Sequence, residues 1–169
     1  VIAWDVVNEA LADDGSLRSS FWLDHIGRDY IELAFRWAHD ADPDALLFYN
    51  DYNIEGISTK SDSAYELIRG LLARGVPIHG IGLQAHFQVG GVPSTLGANI
   101  ARFAALGLKV HITELDVRMQ LPSTSEKLTT QANDYRTVVQ ACLQSPACGV
   151  VVMWGFTDRE SWVPATFSG

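Results

Sequence analysis

Two acidic residues, Glu114 and Asp116, follow a largely β-branched run at positions 110–113. Such a run is typical of a buried strand, and side chains two residues apart on a strand point to the same face. Two interpretations are open: a solvated strand end, or a catalytic carboxylate, since active sites of parallel α/β folds collect at strand carboxyl ends. A further acid, Glu9, follows another apolar run at positions 2–7, which supplies a second carboxylate of the same kind.

Amide, imidazole and aromatic residues follow the other apolar runs in the same way. Amides hydrogen-bond hydroxyls and flat rings cover the apolar faces of sugars, so a carbohydrate is the expected ligand. Two carboxylates flanking a glycosidic bond can hydrolyse it when one is protonated and the other ionised. The nearby Trp4 predicts apolar surroundings that raise the pKa of Glu9, and His86 can join Glu114 to Asp116. The residues expected to meet are Asn8, Glu9, Asn50, Tyr52, Gln84, His86, Glu114, Asp116, Trp154 and Trp162.

Strands and helices alternate along the whole chain. Apolar runs predict strands at 2–7, 45–49, 78–83, 110–117 and 149–153, and helical periodicity predicts helices at about 20–41, 59–74, 94–106 and 123–143. This order indicates a parallel sheet covered by helices, and the absence of a glycine-rich nucleotide fingerprint favours a (β/α)₈ barrel over a doubly wound sheet. A barrel needs about 250 residues. Residues 1–169 are therefore expected to form one incomplete domain, about five C-terminal strands of eight.

Composition narrows the possible partners. Twelve basic against twenty acidic residues give a net charge of −8, which argues against nucleic acid or an anionic membrane as partner. No apolar run approaches the roughly 20 residues of a membrane-spanning helix. The histidines and cysteines show no metal-ligand spacing, so neither a metal nor a cofactor is expected.

Cys142 and Cys148 flank a proline-containing turn and are either a disulfide, which would indicate secretion, or two buried thiols.

Two segments resemble the catalytic signatures of family 10 glycoside hydrolases, the endo-1,4-β-xylanases: WDVVNEA at 4–10 and ITELD at 112–116. Three further segments match in the same order: YNDYN at 49–53, GIGLQAH at 80–86 and WGFTDRESW at 154–162. The resemblance covers essentially the whole chain. It implies a secreted enzyme, monomeric when complete, that acts on xylan and xylo-oligosaccharides by a retaining double displacement.

The resemblance also implies a role for each site residue. Glu9 matches the acid/base and Glu114 the nucleophile, while His86 and Asp116 match residues that support the nucleophile. Asn8 matches the amide that binds the sugar 2-hydroxyl, and Gln84 lies beside the acid/base and the reacting sugar. Gln84 and His86 are therefore also expected to bind substrate. Of the remaining residues, Trp154 and Trp162 match aromatics of the glycone side, Asn50 and Tyr52 line the cleft toward the aglycone, and Cys142 and Cys148 match a disulfide of secreted members.

Two alternative functions remain open at this stage. The catalytic pair alone does not select xylose over glucose, so a related retaining β-1,4-glucanase or mixed-substrate glycanase is one alternative. The other is a non-catalytic carbohydrate-binding relative, although binding alone does not require both Glu9 and Glu114. Because the family's first three strands are missing, the isolated chain is expected to be insoluble or inactive, with unpaired edges on its first and last strands.

Overall fold

A parallel sheet organises the computed structural model, which describes residues 1–167. Five strands lie side by side in the order β1, β2, β3, β5, β6, and the short β4 continues β3 along the same edge of β5. Within the described residues, β1 pairs with β2 alone and β6 with β5 alone, so each outer strand has one unpaired edge. The strands are β1 (Ala3–Asn8), β2 (Leu46–Asp51), β3 (Gly80–Leu83), β4 (His86–Gln88), β5 (Lys109–Arg118) and β6 (Cys148–Met153).

Helices connect successive strands, except between β3 and β4, as expected for a parallel sheet of barrel type. They are α1 (Phe21–Ile26), α2 (Tyr30–Ala41), α3 (Thr59–Ala73), α4 (Leu96–Ala104), α5 (Ser125–Leu143) and α6 (Val163–Thr166), with a 3₁₀ turn at Asp158–Glu160. Within residues 1–167, no helix is long and apolar enough to cross a membrane. The parallel strands and the helices between them confirm the predicted fold class, a partial (β/α)₈ barrel.

Three local predictions were wrong. The single helix at 20–41 is two helices, because Gly27 adopts a left-handed φ of +83° and ends α1. The last long helix begins after Thr124, whose side chain accepts a hydrogen bond from the Lys127 amide, and not after Ser123. The strand β4 was missed, since three residues are too few to show a periodic pattern.

Two histidines without a predicted role are structural. The ring of His111 stacks on Phe48 with centroids 4.1 Å apart, and Nδ1 of His79 accepts a hydrogen bond of 3.0 Å from the Leu47 amide. Gly80 is required beside this stack, because a Cβ there would lie 2.1 Å from the Phe48 ring.

Cys142 and Cys148 form a disulfide, with an S–S distance of 2.01 Å. The bridge joins the end of α5 to the start of β6 and so fixes the entry of the last strand into the sheet. Of the two interpretations open from the sequence, this one is confirmed.

Candidate active site

The carboxyl ends of the strands enclose a cavity of about 690 Å³. Nearly all the residues predicted to meet do so here, although they come from strands and loops far apart in the sequence. Asn50 is the exception and lies beneath the surface. The cavity is lined by Asn8, Glu9, Tyr52, Asn53, Gln84, His86, Phe87, Glu114, Asp116, Arg118, Trp154, Trp162 and Phe167.

The backbone is strained at this end of the sheet. Among the described residues, three that are not glycine have a left-handed φ: Glu9 at +56°, Asn53 at +56° and Ala85 at +64°. All three follow a strand, and such a conformation destabilises a residue with a Cβ by about 1–2 kcal/mol. The Glu9 amide is fixed by a 2.8 Å hydrogen bond to the Asn50 carbonyl. Strain that is held in this way is characteristic of functional sites.

Glu114, His86 and Asp116 form one hydrogen-bonded chain. Nε2 of His86 lies 3.2 Å from Oε2 of Glu114, and Nδ1 lies 2.9 Å from Oδ1 of Asp116. Burial lowers the pKa of His86, but the hydrogen bonds and charges of Asp116 and Glu114 outweigh burial and raise it. The indole N–H of Trp162 donates to the second oxygen of Asp116 at 2.6 Å. The imidazole therefore joins the two carboxylates, which is the geometry that the sequence predicted.

Asn50 holds the other side of Glu114. Its amide nitrogen donates to Oε1 of Glu114 at 2.9 Å and to Oδ1 of Asn8 at 3.0 Å, and its oxygen accepts from the Thr113 hydroxyl. Because Asn50 is 1% exposed, its predicted place on the cleft wall is wrong, and it supports the site from within. Gly82 makes this possible, since a Cβ there would lie 2.2 Å from the Asn50 oxygen.

Glu9 is held by two donors. Gln84 Nε2 lies 3.1 Å from one carboxylate oxygen, and Arg18 Nη1 lies 2.7 Å from the other. Burial raises the pKa of Glu9, but the hydrogen bonds from Gln84 and Arg18, together with nearby positive charge, outweigh burial and lower it. The expectation of a raised pKa was therefore wrong. Trp4 is directed elsewhere and donates its indole N–H to Asp42.

Aromatic side chains complete the wall of the cavity. The rings of Trp162 and Trp154 approach His86 edge-on, with centroids 4.9 and 6.5 Å away. Tyr52 also lines the cavity, and the ammonium of Lys60 lies 3.4 Å from the centre of its ring. Lys60 is almost completely buried and pairs with Asp51 at 2.9 Å.

Several charged residues at or next to the site were not predicted from the sequence: Arg18, Asp51, Lys60, and Glu55, whose carboxylate accepts a hydrogen bond from the Ala85 amide. Arg18 stands in a polar loop and Lys60 in an amphipathic helix, where charged residues are ordinarily solvated. Asp51 was quoted within the YNDYN segment, but no role was predicted for it.

No group of three or more His, Cys, Asp or Glu side chains in residues 1–167 is arranged to hold a metal ion.

A parallel barrel-type sheet with two carboxylates and an imidazole at its strand ends defines the class of barrel glycoside hydrolases. Residues 1–169 match the family described as glycosyl hydrolase family 10. The chain belongs to that family, as the motif resemblance predicted.

Known relatives agree with this assignment. The chain is 52% identical over 169 residues to endo-1,4-β-xylanase D of Talaromyces funiculosus, covering 99% of this chain and 42% of the relative. It is 50% identical over 167 residues to an endo-1,4-β-xylanase of Agaricus bisporus, covering 99% and 50%. Among solved structures, xylanase 10B of Thermotoga petrophila RKU-1 in complex with xylobiose superposes with a TM-score of 0.97 at 47% identity, covering 100% of this chain and 52% of that one. The chain thus spans about half the length of the relatives it matches.

Proposed function

We propose that the protein containing this chain is a retaining endo-1,4-β-xylanase that cleaves internal β-1,4-xylosidic bonds of xylan. The observation that carries the proposal is the pair of supported carboxylates, Glu9 directly after β1 and Glu114 within β5, which line one cavity. The names of the relatives, which are endo-1,4-β-xylanases, support xylan as the substrate.

Glu114 is proposed as the nucleophile. Both of its oxygens are engaged, one by Asn50 and the other by His86, so the carboxylate is oriented before substrate arrives. In the first step one oxygen attacks the anomeric carbon, and the bond to the leaving sugar oxygen breaks as that oxygen takes a proton. The His86–Asp116 pair holds the attacking group in place, which is the benefit of preorganised geometry.

Glu9 is proposed as the acid/base. It gives its proton to the leaving oxygen in the first step and takes a proton from water in the second, in which the water oxygen replaces Glu114 on the anomeric carbon. The configuration at that carbon is thereby retained. Gln84 and Arg18 position the carboxylate for both steps.

Sugar binding is proposed for four residues of the wall. The oxygen of Asn8 accepts from both Asn50 and Gln84, so its amide nitrogen is the atom presented to a hydroxyl, which supports a contact with the sugar 2-hydroxyl. Trp154 and Trp162 supply apolar faces on the glycone side, and Tyr52 supplies one on the aglycone side.

We further propose that residues 1–169 are the C-terminal part of one barrel domain whose first three β/α units lie upstream. The unpaired edges of β1 and β6 and the coverage of about half of each relative support this proposal. The Cys142–Cys148 disulfide supports secretion. A monomer and the absence of nucleic acid or membrane partners remain predictions from sequence.

The proposal is tested on the full-length protein with xylan and carboxymethylcellulose side by side. Xylan hydrolysis with little action on carboxymethylcellulose is expected, and NMR of the first product should show the β-anomer. Preferred hydrolysis of carboxymethylcellulose would indicate the glucanase alternative. Binding of xylan without turnover would indicate a carbohydrate-binding relative, and an α-anomeric first product would contradict retention.

A further inference from the structure

Gln84 and His86 serve different carboxylates although one residue separates them. Gln84 reaches Glu9, whereas His86 reaches Glu114 and Asp116. The intervening Ala85 is fully buried and has a φ of +64°, which interrupts the strand between β3 and β4. The conformation of Ala85 therefore determines how the two side chains are presented to the catalytic pair.

The segment is held on one side by β5. The Glu114 amide donates to the Gln84 carbonyl at 3.0 Å, and the Asp116 amide donates to the Ala85 carbonyl at 3.3 Å. These bonds fix the two carbonyls. They leave the Ala85 amide to be bound from the other side.

That amide is bound by Glu55, from the loop between β2 and α3. Oε1 of Glu55 accepts the Ala85 N–H at 2.8 Å, and the side chain is only 4% exposed. Burial of a carboxylate is unfavourable. A water molecule or a hydroxyl group could accept the hydrogen bond of a single backbone amide with a smaller loss of free energy. Its presence thus calls for an explanation beyond filling the core.

Glu55 is itself fixed from behind. The side-chain amide of the buried Asn99 donates to the Ile54 carbonyl at 2.7 Å and to the Glu55 carbonyl at 3.0 Å. The Asn99 oxygen in turn accepts from Ser61 and Arg102. The backbone that carries Glu55 is therefore held by Asn99 of α4, which Ser61 of α3 supports.

We propose that Glu55 is a positioning residue for the catalytic pair: by binding the Ala85 amide, its carboxylate sets the placement of Gln84 against Glu9 and of His86 against Glu114. This rests on the proposed hydrolase function but not on the choice of substrate. A role confined to folding would stabilise the protein equally well without affecting the chemical step.

The test compares two conservative variants of the full-length protein. Glu55→Gln keeps an oxygen at the same reach and loses the charge, whereas Glu55→Asp keeps the charge but retracts it by one methylene, beyond hydrogen-bonding distance of Ala85. Ile68→Val on α3, which removes one methyl group from a fully buried side chain, is the control for core destabilisation. For each variant kcat, KM and the melting temperature are measured on xylo-oligosaccharides of defined length.

Glu55→Asp is expected to lower kcat by about 10- to 100-fold, the loss associated with one hydrogen bond to a charged group, with KM changed less than about threefold. Glu55→Gln is expected to recover most of this loss. The rate at which a 2-deoxy-2-fluoro glycoside labels the enzyme should fall in parallel, since labelling reports the attack by the nucleophile.

Equal kcat for Glu55→Asp and Ile68→Val at matched melting temperature would overturn the proposal, as would a larger loss in Glu55→Gln than in Glu55→Asp. Should the wild type prefer another β-glycan, the substrate proposed above would be wrong. The order of the variants on that glycan would then still decide the role of Glu55.

Discussion

The ion pair between Arg18 and Glu9 makes a specific prediction about the pH dependence of activity. The two groups are 2.7 Å apart, and the pair helps to lower the pKa of the proposed acid/base, although burial acts in the opposite direction. Glu9 must be protonated for the first step. Replacing the guanidinium in Arg18→Met should therefore raise the pKa of Glu9 and extend activity to higher pH.

The size of the effect follows from exposure. The Arg18 side chain is 45% exposed and that of Glu9 27%, so solvent screens the pair, and exposed pairs of this kind contribute about 0.2–1 kcal/mol. On the alkaline limb the protonated fraction of Glu9 is small and proportional to its proton affinity. Since 1.4 kcal/mol corresponds to about a tenfold change, kcat/KM on that limb, taken relative to its plateau at lower pH, should rise by about 1.4- to 5-fold.

The assay is the pH profile of kcat/KM for the full-length protein on a xylo-oligosaccharide, measured at low and high ionic strength. The difference between Arg18→Met and wild type should shrink as salt screens the pair. Arg69→Met is the matched control, because Arg69 pairs with Glu66 on the exposed face of α3 and should leave the profile unchanged. An alkaline limb that stays in place or moves to lower pH in Arg18→Met would refute the reasoning.

Three further predictions follow from the same contacts. Lys60→Met should destabilise the fold by about 3–5 kcal/mol in urea unfolding, because it leaves the buried Asp51 without its partner at 2.9 Å, and adding Asp51→Asn should restore part of the loss. The stability difference between wild type and His86→Gln should be largest below about pH 6.5 and should fall, to the part that the neutral imidazole contributes, as pH rises through the raised pKa of His86; a difference that grows with pH would contradict this. Reducing the Cys142–Cys148 bridge should lower the unfolding free energy by about 2 kcal/mol, since it closes a short loop, and an unchanged urea midpoint would argue against it.

The residues proposed to be catalytic were predictable because each follows an apolar run of the sequence. A strand of fixed period that ends in a polar residue presents that residue at the carboxyl edge, and parallel strands bring such edges together. Glu9, His86 and Glu114 were therefore expected to lie together, and all three line one cavity. The spacing of Glu114 and Asp116 also predicted that one imidazole could reach both.

The supporting residues were not predictable in the same way. Glu55 stands in a loop next to a glycine, a context that suggests a solvated turn, yet its partner is a backbone amide 30 residues away. Arg18 lies in a polar loop between β1 and α1, and nothing in its local sequence points to Glu9. Asn50 was expected to line the cleft but is buried beneath it. The sequence alone does not show whether a polar residue at the end of a strand is buried or exposed.

The central claim is that Glu114 forms a covalent bond with the sugar while Glu9 transfers the proton. The most direct measurement is mass spectrometry of the full-length protein after reaction with a 2-deoxy-2-fluoro xylobioside that carries a good leaving group. We predict one added disaccharide per molecule, located by peptide sequencing on Glu114, with Glu9→Ala still labelled and Glu114→Ala unlabelled. A label on any other residue, or full turnover by Glu114→Ala, would contradict the account.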